Sequence, residues 1–451
     1  MKTIIHDSIS VELPFALTSV TKMKIKQGLN HHSRAWIEGT LQDQDVQACS
    51  NLSWRDDVTI RYEDGQTNQI LFSGIPYGIK IKYKGQAYVS LELCSRSILM
   101  DDEKKTRSFQ RKDKTYKALF RELVKANGGD IIDYASVSDV YDAPLIQYEE
   151  TDWEFLKRVT SQLGVPVYPN PTGGIAQIYI GFGSNHVSVD TATNETIKKR
   201  MGEFLEFRKS NSSFMESDFL SFYINGVWGC GLGDKVTCEG RSLRVTGIED
   251  SYEDGLLSRR CLLEIKEGIT RKKKYQKELK GASLKGTITA VETDRIRLRL
   301  DADGKVPEEK LHWYPWHRND WFCMPEVGSK ARLYIPCGDE SQAYVADIIR
   351  PSEKKNSKNQ KPENKCFVTK GGKGMEATPH SISFRASGKK LTMQLSDGSG
   401  IKIRSSKGIQ INAGETFVCK ADNIKIKSKE QIALATGSTS IVIDDLLQIK
   451  G

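Results

Sequence analysis

A chain of 451 residues with 38% hydrophobic and 28% charged residues has room for two to four domains with buried cores. No run of 18 apolar residues occurs, so the sequence offers no membrane-spanning helix. A net charge of +9 is mild for this length and does not by itself imply a nucleic-acid partner. The start, Met1 to Asp7, meets acid too soon for a signal peptide, which implies synthesis without export by the general secretory route. Nine cysteines are scattered singly with no Cys-x-x-Cys, and they read as reduced core residues.

Residues 1–100 read as a first β domain. Ile60 to Tyr62, Ile70 to Gly74, Tyr77 to Tyr83 and Ala87 to Cys94 alternate or run apolar, and Glu63-Asp64-Gly65 and Lys84-Gly85 punctuate them. The pattern suggests a meander closing into a small barrel. Ile70 to Tyr77 looks like a hairpin bent at Gly74 and Pro76.

Residues 101–200 turn helical. Thr115 to Asn127 places Tyr116, Leu119, Phe120, Leu123 and Val124 on one face, with Gly128-Gly129 as the stop. A second helix follows Thr151, which makes a capping box with Glu154. Its stripe is Trp153, Leu156, Val159, Thr160 and Leu163, and Gly164 ends it. Glu149, Glu150, Asp152 and Glu154 favour the helix N-terminus electrostatically and need no catalytic role. A strand is expected at Val165 to Tyr168.

The run Gln147-Tyr148-Glu149-Glu150-Thr151-Asp152-Trp153-Glu154-Phe155-Leu156-Lys157-Arg158 resembles a signature of VgrG-type proteins and of the hub and late-control proteins of contractile phage tails. Tyr148, Glu149, Asp152, Trp153, Phe155, Leu156 and Arg158 carry the resemblance. In that family the signature sits in a helical α/β subdomain inserted between two related hub β-barrels. The resemblance therefore implies a mainly β homotrimer, whose barrels form a pseudo-sixfold ring that adapts to a hexameric tail tube.

Residues 201–265 return to strands at Asp218 to Val227, Lys235 to Cys238, Ser242 to Ile248 and Leu257 to Ile265. This stretch resembles the second hub barrel. Residues 266–283, with Arg271-Lys272-Lys273-Lys274, read as a solvated basic linker or short helix, since only Tyr275 interleaves the charges. Residues 284–350 resemble the family's OB-fold neck through Trp313, Pro315, Trp316, Pro325, Gly328 and the closing Ala343-Tyr344-Val345-Ala346-Asp347-Ile348. OB barrels can bind oligonucleotides, and Trp313, Tyr314, Trp316, Trp321 and Phe322 could stack bases. A core and trimer-neck role is the favoured reading, without nucleic-acid recognition. His312, His317 and Cys323 match no closed zinc site.

Residues 351–365 form a polar linker, too short for the lysozyme domain that some relatives carry there. No serine elbow, P-loop or His-Glu-x-x-His appears either. The expected catalytic, metal and cofactor inventory is therefore none.

Residues 366–451 carry the most regular pattern. Aliphatic pairs two residues apart recur at Ile401/Ile403, Ile409/Ile411, Phe417/Cys419, Ile424/Ile426, Ile432/Leu434 and Ile441/Ile443. Successive pairs start 8, 8, 7, 8 and 9 residues apart, with Gly, Asn, Asp or Ser between most of them. A spacing of two puts both members on one strand face. One eight-residue strand-and-turn cannot cover its own apolar face, so neighbours must. Three copies winding into a triple-stranded β-helix satisfy this. A solenoid within one chain or an ordinary meander are the alternatives. No histidine follows His380, so the His-x-His iron tip of some phage spikes is absent, and the apolar end suits a separate PAAR-type cap.

The resemblance covers nearly the whole chain. It implies a structural hub-spike of a contractile injection machine: a phage tail, tail-like bacteriocin or type VI-like secretion system. The expected partners are two further copies, a tail tube or tube-initiator protein, baseplate wedge proteins, a PAAR-type tip protein and the target cell envelope. The expected site of assembly is the baseplate of a phage tail or tail-like particle, after synthesis in the bacterial cytoplasm. The rival readings are a trimeric tail-fibre-like adhesin and a tail-associated cell-wall hydrolase.

Overall fold

The computed structural model describes residues 9–63, 68–141, 143–189, 196–209, 213–269, 273–317, 324–349, 362–369, 371–386 and 390–443. The chain divides into two units, Met1–Arg350 and Pro351–Gly451. Antiparallel strands dominate both, and among the described residues of the first lie four α-helices: α1 (Val46–Ser50), α2 (Tyr116–Lys125), α3 (Asp152–Gln162) and α4 (Met201–Phe207).

The frame of the first unit is one 12-stranded sheet. Its alternation is plain in Ala87–Cys94, where Ala87, Val89, Leu91 and Leu93 are buried and Tyr88 is exposed. Strand order is not that of a meander. The path runs Ile9–Glu12, Val58–Glu63, Asn68–Tyr83, Ala87–Cys94, Arg34–Leu41, Leu17–Gly28 and then Arg241–Glu253. The last step joins the N-terminal strands to the second β stretch, with Gly28 opposite Gly247 and Lys22 opposite Glu253. Two apolar cores flank this seam. One gathers Ile25, Ile37, Ile60, Phe72 and Leu91 with Tyr252 and Leu257 from across the seam. The other holds Phe222, Val236, Val245, Cys261 and Leu263.

The hairpin expected at Gly74 and Pro76 does not form. Asn68–Tyr83 is a single strand, and its irregularity falls between Pro76 and Gly78 as a register shift. Gly74 is there for space: a Cβ would lie 2.4 Å from the Cys94 carbonyl oxygen and 2.7 Å from the Phe72 ring. Proline without an N–H is tolerated beside a bulge, so neither residue ends the strand.

The helices follow their sequence signals. The Thr115 hydroxyl accepts from the Ala118 amide at 3.2 Å, and α2 buries Leu119, Phe120, Leu123 and Val124. At α3 both arms of the capping box form, Glu154 N to Thr151 Oγ1 at 3.1 Å and Thr151 N to Glu154 Oε2 at 3.0 Å. The expected strand after α3 is Val167–Pro169, in a three-stranded sheet with Gln177–Ile180 and Asp130–Asp133. His186–Val189 and Thr196–Lys199 lie within residues 101–200 but pair outside them, with Lys235–Cys238 and Leu220–Asn225 respectively.

The segment read as a solvated basic linker is docked where it is described. Lys274 N donates to Ser161 Oγ at 2.9 Å, and Gln276 Nε2 to the Tyr148 carbonyl at 2.8 Å. Leu279 is fully buried in the next core, which pulls the chain onto the protein despite its charges. Arg271 and Lys272 lie outside the described residues.

Five strands then form one sheet, in the order Trp313–Pro315, Arg295–Leu300, Ser283–Val291, Lys330–Tyr334 and Tyr344–Ile348. Its two edges meet through a parallel bridge between Trp316 and Val345, and His317 N donates to the Val345 carbonyl at 2.9 Å. Pro325 is buried and Gly328 turns with φ +87 before the fourth of these strands.

The second unit opens with a five-stranded antiparallel meander, Lys365–Val368, Gly374–Thr378, Ser381–Ala386, Leu391–Ser396 and Gly400–Ser405. Its register aligns Phe367, Met375, Phe384, Met393 and Ile403 in one cross-strand row, and Ala377, Ile382, Leu395 and Ile401 in the next. Directly opposed residues share a face, so one side of this sheet is apolar. Residues 406–431 form no strand within the chain, and Ile432–Thr436 pairs with Thr439–Ile443 as a hairpin. The strand-and-turn octad expected at Ile409/Ile411, Phe417/Cys419 and Ile424/Ile426 is thus not built by one chain alone. Residues 446–451, where the apolar end was expected, lie outside the described residues.

Candidate functional site

The signature residues sit where α3, the strand before it and the five-stranded sheet meet. Leu145–Glu150 pairs with Lys105–Phe109 and leads straight into the capped N-terminus of α3. The Glu149 side chain is exposed and its backbone is left-handed, φ +49, so the chain turns there and Glu150 points inward. The Tyr148 ring packs partly against the neck-sheet core, in which Ile146 is fully buried.

Arg158 is the centre of the site. It is 3% exposed. Its Nε lies 2.8 Å from Glu150 Oε1, its Nη1 2.8 Å from Glu340 Oε1, and its Nη2 2.7 Å from the Ile146 carbonyl oxygen. Glu150 and Glu340 are themselves 5% and 3% exposed. Burial pushes the Glu150 carboxyl above its usual range, against the pull of Arg158. One guanidinium therefore holds two buried carboxylates, one from the signature and one from the turn before Tyr344–Ile348 of the five-stranded sheet. Glu340 lies 182 residues from Arg158.

A second node surrounds Asp152, whose side chain is fully buried. It accepts from Lys105 Nζ at 2.9 Å, Asn127 Nδ2 at 2.9 Å and Gln147 Nε2 at 3.0 Å, and from the Arg107 guanidinium. Burial alone would raise this carboxyl, but the donors hold it below the usual carboxylate range. Asp152 and Glu150 are thus more than dipole partners of α3, the role that the sequence suggested. With its lone pairs taken up by donors, Asp152 is poorly suited to accept a substrate proton.

Further ties bind the same subdomain to the five-stranded sheet. Tyr314 Oη donates to Gln110 Oε1 at 2.9 Å, Gln110 Nε2 donates to Asp303 Oδ2 at 2.6 Å, and Ser108 hydrogen-bonds Asp303. Trp313 is covered by the Arg297 guanidinium at 4.4 Å, an internal partner for the face that would stack a base. Trp316 packs partly against the sheet core, and Pro315 is exposed. His312 stacks on Tyr141 and His317 on Tyr344. Trp321, Phe322 and Cys323 lie outside the described residues.

One cluster was invisible in the sequence. His32 Nδ1 lies 2.7 Å from Ser97 Oγ and its Nε2 2.9 Å from Asp101 Oδ2. This has the composition of a hydrolytic triad, but Ser97 is 1% exposed and its hydroxyl is also shared with Ser95 at 2.8 Å. Thr151 Oγ1 donates to Asp101, and the His32 ring stacks on Trp153 at 4.5 Å. The cluster therefore latches the first core to the start of α3. Burial lowers the His32 pKa below 6.5, against Asp101 and helped by Lys157 and Arg34. An unfolded histidine takes up a proton below pH 6.5 that the folded one refuses, so this contribution is lost as pH falls from there. Urea unfolding between about pH 7.5 and about pH 5.5 should show a stability loss in the wild type that is smaller in His32→Asn. Equal losses in both would remove His32 as the cause.

In the second unit most of the paired aliphatics are exposed, and Ile432 and Ile443 are half-buried. Ile401, Ile411, Phe417 and Ile426 are 62–68% exposed, and Ile403, Ile409, Ile424, Leu434 and Ile441 are 52–58% exposed. In the hairpin, Ile432 faces Ile443 and Leu434 faces Ile441.

No protein-family model matches the sequence, and no curated protein sequence matches it. Solved structures do. An E. coli component of the type VI secretion system, itself described as similar in structure to the T4 bacteriophage tail proteins gp27 and gp5, matches with TM-score 0.55 at 12% identity. The match covers 76% of this chain and 99% of that one. A Francisella PdpA-VgrG complex in its half-lidded form matches with TM-score 0.56 at 11% identity, over 90% of this chain and 88% of that one. The lidless PdpA-VgrG complex matches with TM-score 0.55 at 9% identity, over 90% and 98%. The chain has the mainly β fold of VgrG-like hub proteins, as the signature in residues 147–158 implied.

Proposed function

We propose that this chain is the hub-spike protein of a contractile injection machine. Three copies plug the distal end of a tail tube, and their C-terminal segments wind into a needle that breaches the target envelope mechanically. The observation that carries this reading is the second unit: an apolar sheet face and regularly spaced aliphatics that one chain leaves in solvent. Apolar surface repeated at fixed spacing over some forty residues is costly to leave wet. Identical copies supply the same spacing and can cover it level by level. The likeness to the E. coli secretion component and to VgrG supports the same role.

In this reading residues 1–265 build the hub around the inserted subdomain, 284–350 the OB-type neck and 366–451 the spike. The Arg158–Glu340 contact acts mechanically, holding the subdomain to the neck under load, while the Asp152 node braces the subdomain internally. The tube or tube initiator, baseplate wedge proteins and a PAAR-type tip protein are the partners, and the chemistry is non-enzymatic. Clearing of purified cell walls by the protein would favour a hydrolase instead.

Native mass measurement tests the assembly. Three 50.7 kDa chains give a species of about 150 kDa, and truncation after Lys365 should weaken it. A full-length monomer at micromolar concentration would overturn the intertwined spike.

A further inference from the structure

Val227, in the loop after the strand Leu220–Asn225, is buried, and its carbonyl oxygen serves two thiols. Cys230 Sγ lies 3.8 Å from it and Cys261 Sγ 3.6 Å. Cys261 stands in the middle of Leu256–Glu264, opposite Ile224 on one side and Ile248 on the other. Cys230 arrives from a loop with Gly226 and Gly229 at φ +77 and +78. Both thiols belong to one apolar core.

Their accessibility differs. Cys261 is fully buried, whereas Cys230 is 6% exposed and borders a cleft of about 380 Å³ lined also by Tyr134, Tyr168, Asp234 and Arg259. The neighbouring Cys261 thiol and the Arg259 guanidinium lower the Cys230 pKa, against burial, while that of Cys261 rises. A sulfur at the edge of a cleft beside a fully buried one is the arrangement of an attacking and a resolving cysteine.

We infer that Cys230 and Cys261 form a dithiol that closes to an intrachain disulfide when a low-molecular-weight disulfide reaches the cleft. Cys230 thiolate attacks a sulfur of the oxidant, forming a mixed disulfide and releasing one small thiol. Cys261, giving up its proton, then attacks Cys230 Sγ and displaces the second small thiol. The protein loses two protons and two electrons, and the small disulfide takes them up to become two thiols. Both sulfurs lie within 3.8 Å of one carbonyl oxygen, and closing the bond requires Cys230 to move on its glycine-flanked loop. The product pins the loop to the strand beside the seam of the 12-stranded sheet.

The test uses the full chain, purified reduced and then exposed to oxidised glutathione without denaturant. Remaining thiols are alkylated and peptides are mapped by mass spectrometry without reduction. The expected product is a linked Cys230–Cys261 peptide lighter by two hydrogens. Cys261→Ser should stop at a glutathione adduct on Cys230, and Cys238→Ser should leave the link intact. Absence of the linked peptide while exposed Cys419 reacts, or a Cys230–Cys238 link in its place, overturns the inference. Should Cys261→Ser fail to fold, the wild-type map decides alone.

Discussion

Under the proposed three-chain spike, Ile411→Asp is expected to prevent trimer assembly. In one chain Ile411 is 66% exposed, and a substitution on such a surface changes stability by only about 0.5 kcal/mol or less. In three intertwined chains the same position faces a dry axis, and the variant brings three carboxylates to one level. Each would be desolvated beside two like charges, a cost of several kcal/mol per group unless protons bind. Native mass spectrometry should therefore show monomers or loosened assemblies, while Ile411→Leu stays trimeric. The first unit should unfold as in the wild type, because its cores include no residue of the spike. A trimeric Ile411→Asp with unchanged melting would remove Ile411 from the axis.

Arg158→Met is the second large effect. It leaves Glu150 and Glu340 facing each other, both buried, with no cation between them. Breaking a buried ion pair on one side costs roughly 3–5 kcal/mol, mostly as the penalty of the stranded charge. The unfolding midpoint of the first unit should fall accordingly. The sign with pH follows from the carboxylates. Burial already raises the Glu150 carboxyl against the pull of Arg158, so without that pull the folded state keeps a proton that the unfolded state releases. The deficit should be largest near neutrality and shrink as pH falls toward the ordinary carboxylate range. The triple variant Arg158→Met, Glu150→Gln, Glu340→Gln should recover most of the loss, because the charges are gone. A midpoint unchanged in Arg158→Met would show that the joint between subdomain and neck does not depend on this node.

These two predictions fall on either side of what was readable at the start. The sequence by itself determined the local elements. Thr151 and Glu154 announced α3, Thr115 announced α2, and the spacing of two gave the strand faces at Ile401/Ile403, Ile432/Leu434 and Ile441/Ile443, though not at the three pairs between them. Such signals are legible because capping and side-chain alternation act within a few residues. The signature in residues 147–158 was legible for the same reason, and the mainly β fold that it implied is observed.

Only the tertiary structure decided what those residues touch. The hairpin read at Gly74 and Pro76 is an unbroken strand, because a glycine can mark close packing against Phe72 as well as a turn. The basic run after residue 266 looked solvated, yet Leu279 and Gln276 fasten its end to the neck and to Tyr148. Glu150 and Asp152 looked like simple dipole partners until Arg158, Lys105 and Gln147 were seen around them. The joining of Leu17–Gly28 to Arg241–Glu253, the Ser97–His32–Asp101 latch and the Arg158–Glu340 pair all bridge residues far apart in sequence. Periodicity reports which face of an element needs covering and is silent on which distant segment covers it. A charge close to a helix terminus reads the same in sequence whether solvent or a buried guanidinium meets it. Chain folding settles that difference, because burial makes each unpaired charge too costly to leave without a partner.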